Sequence, residues 1–396
     1  MPSVKANIPD LSFREILAGR FRLEQVLGEG SYGKVYKAMK RQNSSESARF
    51  YAIKVLLKAD PKSREHEMQQ RELRFHKQVS GHPNIVTLCG AFEENKFIFV
   101  VLELCEGSDL FTAIVDHGLF EGNDQLIKSS YVKILDAVHY CHQQGIFHRD
   151  LKPENILCSN DGRDIWLADF GLSTDRQACR DFGCGSGAYM SPECIRKETK
   201  NMVYSALFND IWSLGVILVN IITQHNPWNS AQSSDPCYKA FLKDPNSLRD
   251  ALSISDHASR LLEEVFNLNA ASRITIPTLR REILLVDTFY AADDRVLERS
   301  PAIAGSDTEA EMYSSNSVAA SSSSFAGEKL SIAADADPNQ GNSPSGSYLR
   351  RRPRFAVDPR KGSHQEVRKF EQLQLIPAVA IGRNFSSALD LPSHTL

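Results

Sequence analysis

The segment HRDLKPEN, from His148 to Asn155, decides how this chain of 396 residues is interpreted. It places a carboxylate, an ammonium group and an amide within one short stretch, at Asp150, Lys152 and Asn155. Asp150 can orient an attacking hydroxyl, Lys152 can neutralise charge on a transferring phosphoryl group, and Asn155 can hold a magnesium ion. The segment therefore predicts a site for phosphoryl transfer from a nucleotide to a hydroxyl.

The composition favours some classes of protein over others. Hydrophobic residues make up 42% of the chain and charged residues 24%, as in soluble globular proteins. The formal charge of −3 argues against a strongly basic surface for nucleic acid. The eight cysteines form no CxxC pair and follow no secretion signal, so we expect intracellular thiols. The apolar run over residues 211–223 is too short for a membrane span and predicts a buried helix. We expect a monomer.

The spacing of hydrophobic residues divides the chain into two regions. Up to Leu104 the pattern is mainly that of strands, with one predicted helix over residues 62–79. Beyond Asp109 the pattern is mainly helical, with short strand signals at residues 156–158 and 165–168. The sequence therefore predicts an α+β fold with a small β-rich lobe and a larger, mainly α-helical lobe. The strands predicted in the small lobe cover residues 21–28, 34–40, 50–56, 85–92 and 97–104.

We expect three segments along the chain. Residues 1–20 form an N-terminal extension, residues 21–286 a catalytic domain, and residues 287–396 a Ser-rich, largely disordered tail. The tail mixes Ser with Ala, Gly, Pro and Asp, a composition that buries too little apolar surface to offset chain entropy. Its basic cluster at 349–354 and apolar stretch at 375–381 are either docking or nuclear-import elements, or chance clusters in a solvated linker.

A glycine-rich turn and a lysine predict the nucleotide-binding part of the site. The stretch GEGSYGKV, from Gly28 to Val35, lets the backbone close over phosphates because its glycines carry no Cβ. Lys54 follows in the strand YAIKV, where it can contact the α- and β-phosphates. Lys54 needs an acidic partner from the following helix. We predict Glu72, which lies deep in that helix, and keep Glu67 as the alternative.

A second carboxylate for magnesium is predicted at Asp169. It opens the triplet DFG directly after a predicted strand, 19 residues beyond Asp150. Alone the triplet carries little information, but its order and spacing after HRDLKPEN are those of a phosphotransfer site. We therefore predict that Asp169 and Asn155 together hold the metal ion.

Taken in order, these motifs make the chain similar to a eukaryotic protein kinase over residues 21–286. The ordered set is GEGSYGKV, the AIK that ends at Lys54, HRDLKPEN, DFG and the SPE that ends at Glu193. The resemblance implies a bilobal protein-kinase fold, with ATP and Mg²⁺ as cofactors and proteins with Ser or Thr acceptors as substrates. Lys152 in LKPEN is typical of serine/threonine kinases.

The resemblance also implies roles for single residues. Leu102 takes the gatekeeper position between the nucleotide and the core, and Asp210 braces the catalytic loop. Glu193 is expected to pair with Arg273, and His148 to pack against Phe170. The nucleotide-binding residues implied are Gly28, Glu29, Gly30, Gly33, Val35, Ala52, Lys54, the hinge residues Glu103 and Cys105, Asp109 near the ribose, and Leu157.

One departure from the family concerns regulation. In kinases with a segment of this length between DFG and SPE, the activating phosphothreonine stands where this chain has Phe182. Arg149, which usually pairs with that phosphate, therefore lacks its anion. We hypothesise that Asp181 or Asp175 supplies the charge. The alternative is phosphorylation of Ser173 or Thr174.

Substrate preference and subgroup are further expectations. Glu154 and Asp109 resemble acidic residues that read an upstream arginine, with Asn220 at a third such position, so we expect a preference for basic sequences. The stretches at 182–194 and 208–228 resemble fungal kinases related to the negative regulator of sexual conjugation and meiosis. That resemblance implies nutrient, growth or differentiation signalling. We expect a cytoplasmic or nuclear protein, or one found in both places.

Two other classes stay open. A pseudokinase-type signalling scaffold would bind partners without phosphorylating them, but we expect it to lack one of the catalytic residues. This chain keeps all of them, namely Lys54, Asp150, Asn155 and Asp169. A small-molecule kinase could share the two aspartates, but it would not need SPE or Arg273.

Overall fold

The computed structural model describes residues 8–30, 33–41, 48–197 and 202–291. The predicted tail, apart from residues 287–291, lies outside the described residues, as do its clusters at 349–354 and 375–381. The described residues form the expected small lobe built on a sheet and a larger helical lobe.

An antiparallel sheet of six strands forms the small lobe, in the order β1-β2-β3-β4-β6-β5. Valine, isoleucine and aromatic residues alternate with other residues along the strands at 33–40 and 49–57, so each of these two strands has a buried and a partly exposed face. The strands are β1 Glu15–Ile16, β2 Phe21–Glu29, β3 Gly33–Lys40, β4 Arg49–Leu57, β5 Leu88–Glu94 and β6 Phe97–Glu103.

One predicted strand is shifted. The prediction begins at residue 85, whereas β5 begins at Leu88. Ile85 and Val86 instead contact Leu167 of the large lobe, where the Val86 N–H donates to the Leu167 carbonyl at 2.9 Å. Both are apolar and buried, so a sequence pattern alone does not separate this connection from a strand.

The segment before β2 packs onto the sheet. Ile8, Leu11 and Ile16 are buried in the same apolar core as the strands, and β1 pairs with β2. The Leu11 N–H donates to the Tyr36 hydroxyl at 3.0 Å. Residues 8–20 are therefore part of the small-lobe core, although we predict that the catalytic domain begins at residue 21.

Helix α1, Arg64–Val79, packs on the sheet and carries Glu72. The Ser63 hydroxyl caps it by accepting from the His66 N–H at 3.1 Å, so the helix begins two residues later than predicted. Its buried face includes Leu73 and His76. Glu72, next to Leu73, faces the cleft between the lobes, where it contacts Lys54.

The large lobe is built around helix α5, Ala206–Thr223, which contains the predicted apolar run. This helix is long and apolar enough to cross a membrane, but 83% of it is buried inside the fold, so it is the core helix of the lobe. The other helices are α2 Leu110–Val115, α3 Asp124–Gln143, α4 Pro192–Ile195, α6 Pro236–Lys243, α7 Ser247–Leu252, α8 Asp256–Val265 and α9 Ile276–Leu285.

Two small sheets hold the functional loops. Strands β7 Ser108–Asp109, β8 Ile156–Cys158 and β9 Ile165–Leu167 flank the catalytic loop. Strands β10 Ala178–Cys179 and β11 Tyr204–Ser205 anchor the middle of the activation segment, which we define as residues 169–193. The strand predicted at residues 165–168 therefore ends one residue earlier in the structure, at Leu167, shortly before Asp169.

The packed chain continues past the predicted start of the tail. Phe289 is fully buried, and its carbonyl accepts from the Ser255 N–H at 2.9 Å. Tyr290 forms a bridge with Ile254. Residues 287–291 therefore belong to the large lobe, because Phe289 adds an aromatic ring to its core.

Candidate active site

Asp150 lies at the centre of a hydrogen-bonded group in the catalytic loop. Its Oδ1 accepts from the Ser186 hydroxyl at 2.8 Å, and its Oδ2 lies 3.0 Å from the Lys152 ammonium. Lys152 also donates to Ser186 at 2.8 Å. These three contacts join the catalytic loop to the activation segment and fix the carboxylate that can orient a substrate hydroxyl.

Asn155 is held against the same carboxylate. Its amide nitrogen donates to the Asp150 carbonyl at 2.8 Å and to Asp150 Oδ2 at 3.0 Å. The amide oxygen accepts no hydrogen bond within the described part of the chain, so it is free to bind a cation.

A buried aspartate braces the catalytic loop from below. Asp210 is fully buried in α5 and accepts from the backbone N–H groups of His148 and Arg149, each at 2.8 Å. It also lies 2.9 Å from His142 Nε2. Arg149 has φ of 64°, a left-handed conformation that costs energy for a non-glycine residue. Asp210 satisfies the amides of this turn, as the resemblance implies.

Lys54 joins the two lobes across the cleft. Its ammonium lies 2.7 Å from Glu72 Oε1 and 3.3 Å from Asp169 Oδ1. Burial opposes the charge on Lys54, but Asp169 and Glu72 outweigh this effect and raise its pKa above the ordinary value. In turn, the charge of Lys54 lowers the pKa of Asp169. Lys54 and Asp169 are thus both charged at neutral pH. The predicted partner Glu72 makes the contact, whereas the alternative, Glu67, is exposed.

The donor set at Asp169 and Asn155 fits magnesium. Asp169 is half exposed to the cleft, and its Oδ2 has no partner among the described residues. Within the described ranges no three His, Cys, Asp or Glu side chains gather into a metal cluster. One carboxylate and one amide suit Mg²⁺, which takes its remaining ligands from phosphates and water.

The strands of the small lobe present one partly exposed face to the cleft. Val35 pairs with Lys54 across β3 and β4, and Ala52 pairs with Leu102 across β4 and β6. Residues that pair directly share a face, and residues two apart on a strand do so as well. Val35, Ala52 and Leu102 therefore lie on the same face as Lys54, while the next residue, Ile53, points into the core. This apolar surface fits an adenine ring.

The connection between the lobes has the features expected of a hinge. The Cys105 N–H donates to no backbone group of the described residues and is free for a ligand. Burial raises the pKa of the Cys105 thiol, so this cysteine is unreactive near neutral pH. Asp109 caps α2 by accepting from the Thr112 N–H at 2.8 Å, and Asp109 pairs with Leu157 between β7 and β8. The Glu103 side chain accepts from the Thr87 N–H at 2.6 Å.

The glycines at the turn between β2 and β3 are needed for different reasons. A Cβ on Gly33 would lie 2.4 Å from the Val55 carbonyl, so packing requires this glycine. A Cβ on Gly28 or Gly30 would meet no protein atom within 4 Å, which fits a surface kept clear for phosphates. Glu29 closes β2 between these glycines, and the loop tip at residues 31–32 lies outside the described residues.

Sequence reasoning missed a histidine behind the site. The ring of Phe170 packs on His148, as expected, with centroids 5.2 Å apart, but it also packs on His76 at 4.9 Å. His76 Nε2 lies 2.7 Å from the Val86 carbonyl. These contacts link α1, the DFG triplet and the catalytic loop. The signal was present, since His76 follows Glu72 by four residues and so lies one helical turn along the same side.

An ion pair below the activation segment ties the large lobe together. Arg273 donates to both carboxylate oxygens of Glu193, with Nη2 and Oε2 2.9 Å apart, and both side chains are buried. The guanidinium also lies over the ring of Trp212, 4.8 Å from its centroid. This pair is the one implied by the sequence resemblance.

Comparison with known protein families assigns this arrangement. The family model described as "Protein kinase domain" matches residues 21–284, which contain every site residue described above. The chain belongs to the protein kinase family.

Curated relatives refine this assignment to fungal kinases. The kinase domain is similar to the "Negative regulator of sexual conjugation and meiosis" of Schizosaccharomyces pombe, with 39% identity over 290 residues. It is also similar to the S. pombe "Serine/threonine-protein kinase ksp1", with 32% identity over 289 residues. The Saccharomyces cerevisiae "Serine/threonine-protein kinase VHS1" is 29% identical over 341 residues. The predicted resemblance to fungal kinases of this group is thus confirmed.

The matches cover only part of each protein. The match to the conjugation and meiosis regulator takes in 68% of this chain and 61% of that relative. The corresponding shares are 70% and 59% for ksp1, and 70% and 73% for VHS1.

Proposed function

We propose that this protein is a serine/threonine kinase that transfers the γ-phosphoryl group of ATP to Ser and Thr hydroxyls of proteins. The observation that supports this function most strongly is the position of Asp150. Its carboxylate is held by Ser186, Lys152 and Asn155 and lies in the cleft that also contains Lys54 and Asp169. The groups needed for phosphoryl transfer are therefore present, in two sets that are each joined by side-chain contacts.

The chemistry expected of each side chain follows from its surroundings. Asp150 orients the acceptor hydroxyl and receives its hydrogen bond, while the Lys152 ammonium neutralises charge beside it. Lys54, placed by Glu72, holds the α- and β-phosphates. Asp169 and Asn155 would hold Mg²⁺, which supplies electrostatic stabilisation of the phosphates when bound. Ser186 keeps the activation segment in register with Asp150.

We propose a preference for substrates with basic residues before the acceptor. Glu154 is exposed next to the catalytic loop and is free to attract a cation. The third expected position, Asn220, is already committed, because it accepts from the Tyr189 hydroxyl and donates to Asn226. The preference is therefore expected to be modest. A peptide array that shows proline-directed or acidic specificity would refute it.

The cellular role is proposed from similarity. A relative named for negative regulation of conjugation and meiosis supports a role in nutrient, growth or differentiation signalling. We propose that the protein acts in the cytoplasm, the nucleus or both, as a monomer, and that its tail binds docking partners. Phosphoproteomics of cells that carry Leu102→Gly and are treated with an inhibitor that fits the enlarged pocket would identify its substrates.

A phosphotransfer assay tests the proposed activity. Full-length protein is incubated with Mg²⁺, ATP and a generic protein substrate, and wild type is compared with Asp150→Ala and with Asp250→Ala, which changes an exposed residue of α7. We expect wild type and Asp250→Ala to label the substrate equally and Asp150→Ala to be about 10²- to 10⁴-fold slower. Nucleotide binding without transfer would indicate a scaffold. ATP consumption with a small molecule as the only acceptor would indicate a small-molecule kinase.

A further inference from the structure

We propose that Asp181 is a positioning residue whose permanent carboxylate fastens the activation segment to Arg149 of the catalytic loop, so that the segment holds its active arrangement without a phosphate. This inference rests on the proposed kinase activity and concerns the regulation of the same site. It chooses between the two aspartates that the sequence leaves open.

Arg149 is the receiving side of this contact. Its side chain is only 3% exposed, and its Nη1 contacts the Asp181 carboxylate directly. The Nε donates to the Leu172 carbonyl at 2.8 Å, and Nη1 lies 3.5 Å from the Tyr204 hydroxyl. A guanidinium buried in this way needs an anion, because an unpaired buried charge is strongly destabilising. Among the contacts described for the Arg149 guanidinium, Asp181 alone supplies a carboxylate.

The contact lies a short distance along the chain from the catalytic carboxylate. Ser186, whose hydroxyl donates to Asp150, lies only five residues after Asp181. Between them, Gly185 passes so close to the catalytic loop that a Cβ on it would lie 2.6 Å from the Arg149 carbonyl. The Gly183 N–H donates to the Cys194 carbonyl at 2.8 Å. A shift of Asp181 would therefore move Ser186 and, with it, the surface on which a substrate hydroxyl approaches Asp150.

The neighbouring residue, Phe182, has an apolar ring at the position where the family resemblance implies a threonine hydroxyl. Phe182 packs against Tyr204 with centroids 5.6 Å apart, and the Arg196 guanidinium lies over the Phe182 ring, 4.4 Å from its centroid. A phenyl ring accepts no phosphate, and here it anchors the segment by packing and a cation–π contact.

The hydroxyls of the activation segment are poorly placed for a kinase to reach. Ser173, Thr174 and Ser191 are buried, and Tyr189 is buried as well. Ser186, the remaining hydroxyl of residues 169–193, is bonded to both Asp150 and Lys152. Thr174 also exchanges two backbone hydrogen bonds with Phe147, so phosphorylation there would require the segment to open. This arrangement counts against the alternative in which Ser173 or Thr174 is the activating site.

Asp175 provides a matched comparison. It pairs with Arg74 of α1 at 3.7 Å, but both side chains are more than half exposed, so water screens the interaction. Arg71 interacts electrostatically with both aspartates. Burial and the charge of Arg149 lower its pKa, while Asp181 and Asp175 act in the opposite direction. The buried arginine of the catalytic loop thus contacts Asp181 and not Asp175.

Five variants of the full-length chain test the role of Asp181, counting Arg149→Gln as the reference for the double variant. Asp181→Asn removes the charge at constant shape, Asp181→Glu retains it, and Asp175→Asn is the control. We expect Asp181→Asn to lower kcat/KM for a protein substrate by at least about 10-fold, with the KM for ATP changed less than about twofold. Asp181→Glu should recover most of the loss, and Asp175→Asn should match wild type. The fourth variant, Asp181→Asn with Arg149→Gln, should be no slower than Arg149→Gln alone.

Phosphatase treatment tests independence from phosphate. Wild-type protein is dephosphorylated, mass spectrometry verifies that residues 169–193 carry no phosphate, and activity is measured again. We expect kcat to change less than about twofold. A loss of 10-fold or more that is traced to a hydroxyl of this segment would overturn the proposal. So would an Asp181→Asn enzyme with wild-type kcat/KM, or equal losses in Asp181→Asn and Asp175→Asn.

A readout without catalysis separates this proposal from the proposed function. If wild type and Asp150→Ala are equally inactive, the kinase assignment fails, yet the effect of the contact between Asp181 and Arg149 is still measurable. Hydrogen exchange of the backbone amides at residues 181–186 should then be faster in Asp181→Asn and unchanged in Asp175→Asn. Equal protection in all three proteins would contradict the role of Asp181.

Discussion

The two halves of the active site are held in different ways. The transfer half, which we define as Asp150, Lys152, Asn155 and Ser186, is joined by four side-chain contacts of 2.8–3.0 Å and rests on fully buried Asp210. The nucleotide half, which we define as Lys54, Glu72 and Asp169, depends on a single lysine that reaches two carboxylates from separate elements.

This difference separates the residues that act in phosphoryl transfer from the residues whose positions depend on α1. The transfer half lies in a network of partly buried hydrogen bonds, which favours one arrangement of its side chains. The nucleotide half changes whenever α1 moves relative to β4, because Glu72 and Lys54 lie on those two elements. We therefore expect changes near the transfer half to affect kcat or folding, and changes in the nucleotide half to affect the use of ATP and Mg²⁺.

The largest effect is expected below the transfer half. Arg273→Ala leaves the Glu193 carboxylate buried without its partner and should lower the free energy of unfolding by about 3–5 kcal/mol. Arg280→Ala removes the half-exposed pair with Asp136 and should cost about 0–1 kcal/mol. Urea unfolding followed by tryptophan fluorescence compares the two. Equal costs would mean that burial of the Glu193 pair does not set its contribution.

The stability of the folded protein is expected to depend on pH through His76, which packs against Phe170 behind the site. Burial, together with the nearby charges of Lys54 and His148, lowers its pKa to about 4, while the Val86 carbonyl and Asp169 oppose the shift. The unfolded chain therefore binds a proton more readily, and the stability from neutral His76 is present above pH ~6.5 and lost toward pH ~4. This change amounts to about 3 kcal/mol.

The comparison of His76→Gln with wild type isolates this effect. Gln keeps a donor for the Val86 carbonyl but does not titrate, so its stability should fall less than that of wild type between pH 7 and pH 4.5. The exposed His225→Gln serves as the control. Identical pH dependence of unfolding in wild type and His76→Gln would contradict a neutral, buried His76.

Within the transfer half, Lys152→Met should act on catalysis. The variant removes the charge that neutralises Asp150 and the contact with Ser186, and we expect kcat to fall about 100-fold, or about 2.7 kcal/mol. The KM for ATP should be unchanged, because Lys152 does not touch the nucleotide half. Steady-state kinetics at varied ATP would show this separation, and a parallel rise in the KM for ATP would break it.

The smallest effect is expected in the nucleotide half. Glu72→Gln removes one of the two carboxylates near Lys54. The Lys54 ammonium then draws closer to Asp169 and competes with the metal ion for that carboxylate. We expect the concentrations of ATP and Mg²⁺ needed for half-maximal rate to rise about 10-fold, or about 1.4 kcal/mol, with the melting temperature nearly unchanged. Glu67→Gln, on the exposed side of α1, is the control. A fall in kcat without these shifts would contradict the division into two halves.

Local patterns in the sequence were enough for the two-lobed fold and for the pairing of Lys54 with Glu72. Hydrophobic alternation predicted β2 and β3 to within one residue, and the position of Glu72 in the predicted helix pointed to it as the partner of Lys54. Contacts between distant segments were harder to predict from the sequence. The two-residue strand β1 is too short to show a period, and nothing in the sequence places Leu11 beside Tyr36. The choice between Asp181 and Asp175 likewise needed the fold, because both lie in the activation segment and the sequence does not show which of them reaches Arg149.

The most direct test of the central claim is phosphoamino-acid analysis of a protein substrate after incubation with γ-labelled ATP and Mg²⁺. We predict that the wild-type enzyme produces phosphoserine and phosphothreonine and that Asp150→Asn yields only background label under the same conditions. Equal label from both proteins, or label on tyrosine alone, would contradict the assignment of Asp150 and of the serine/threonine kinase activity.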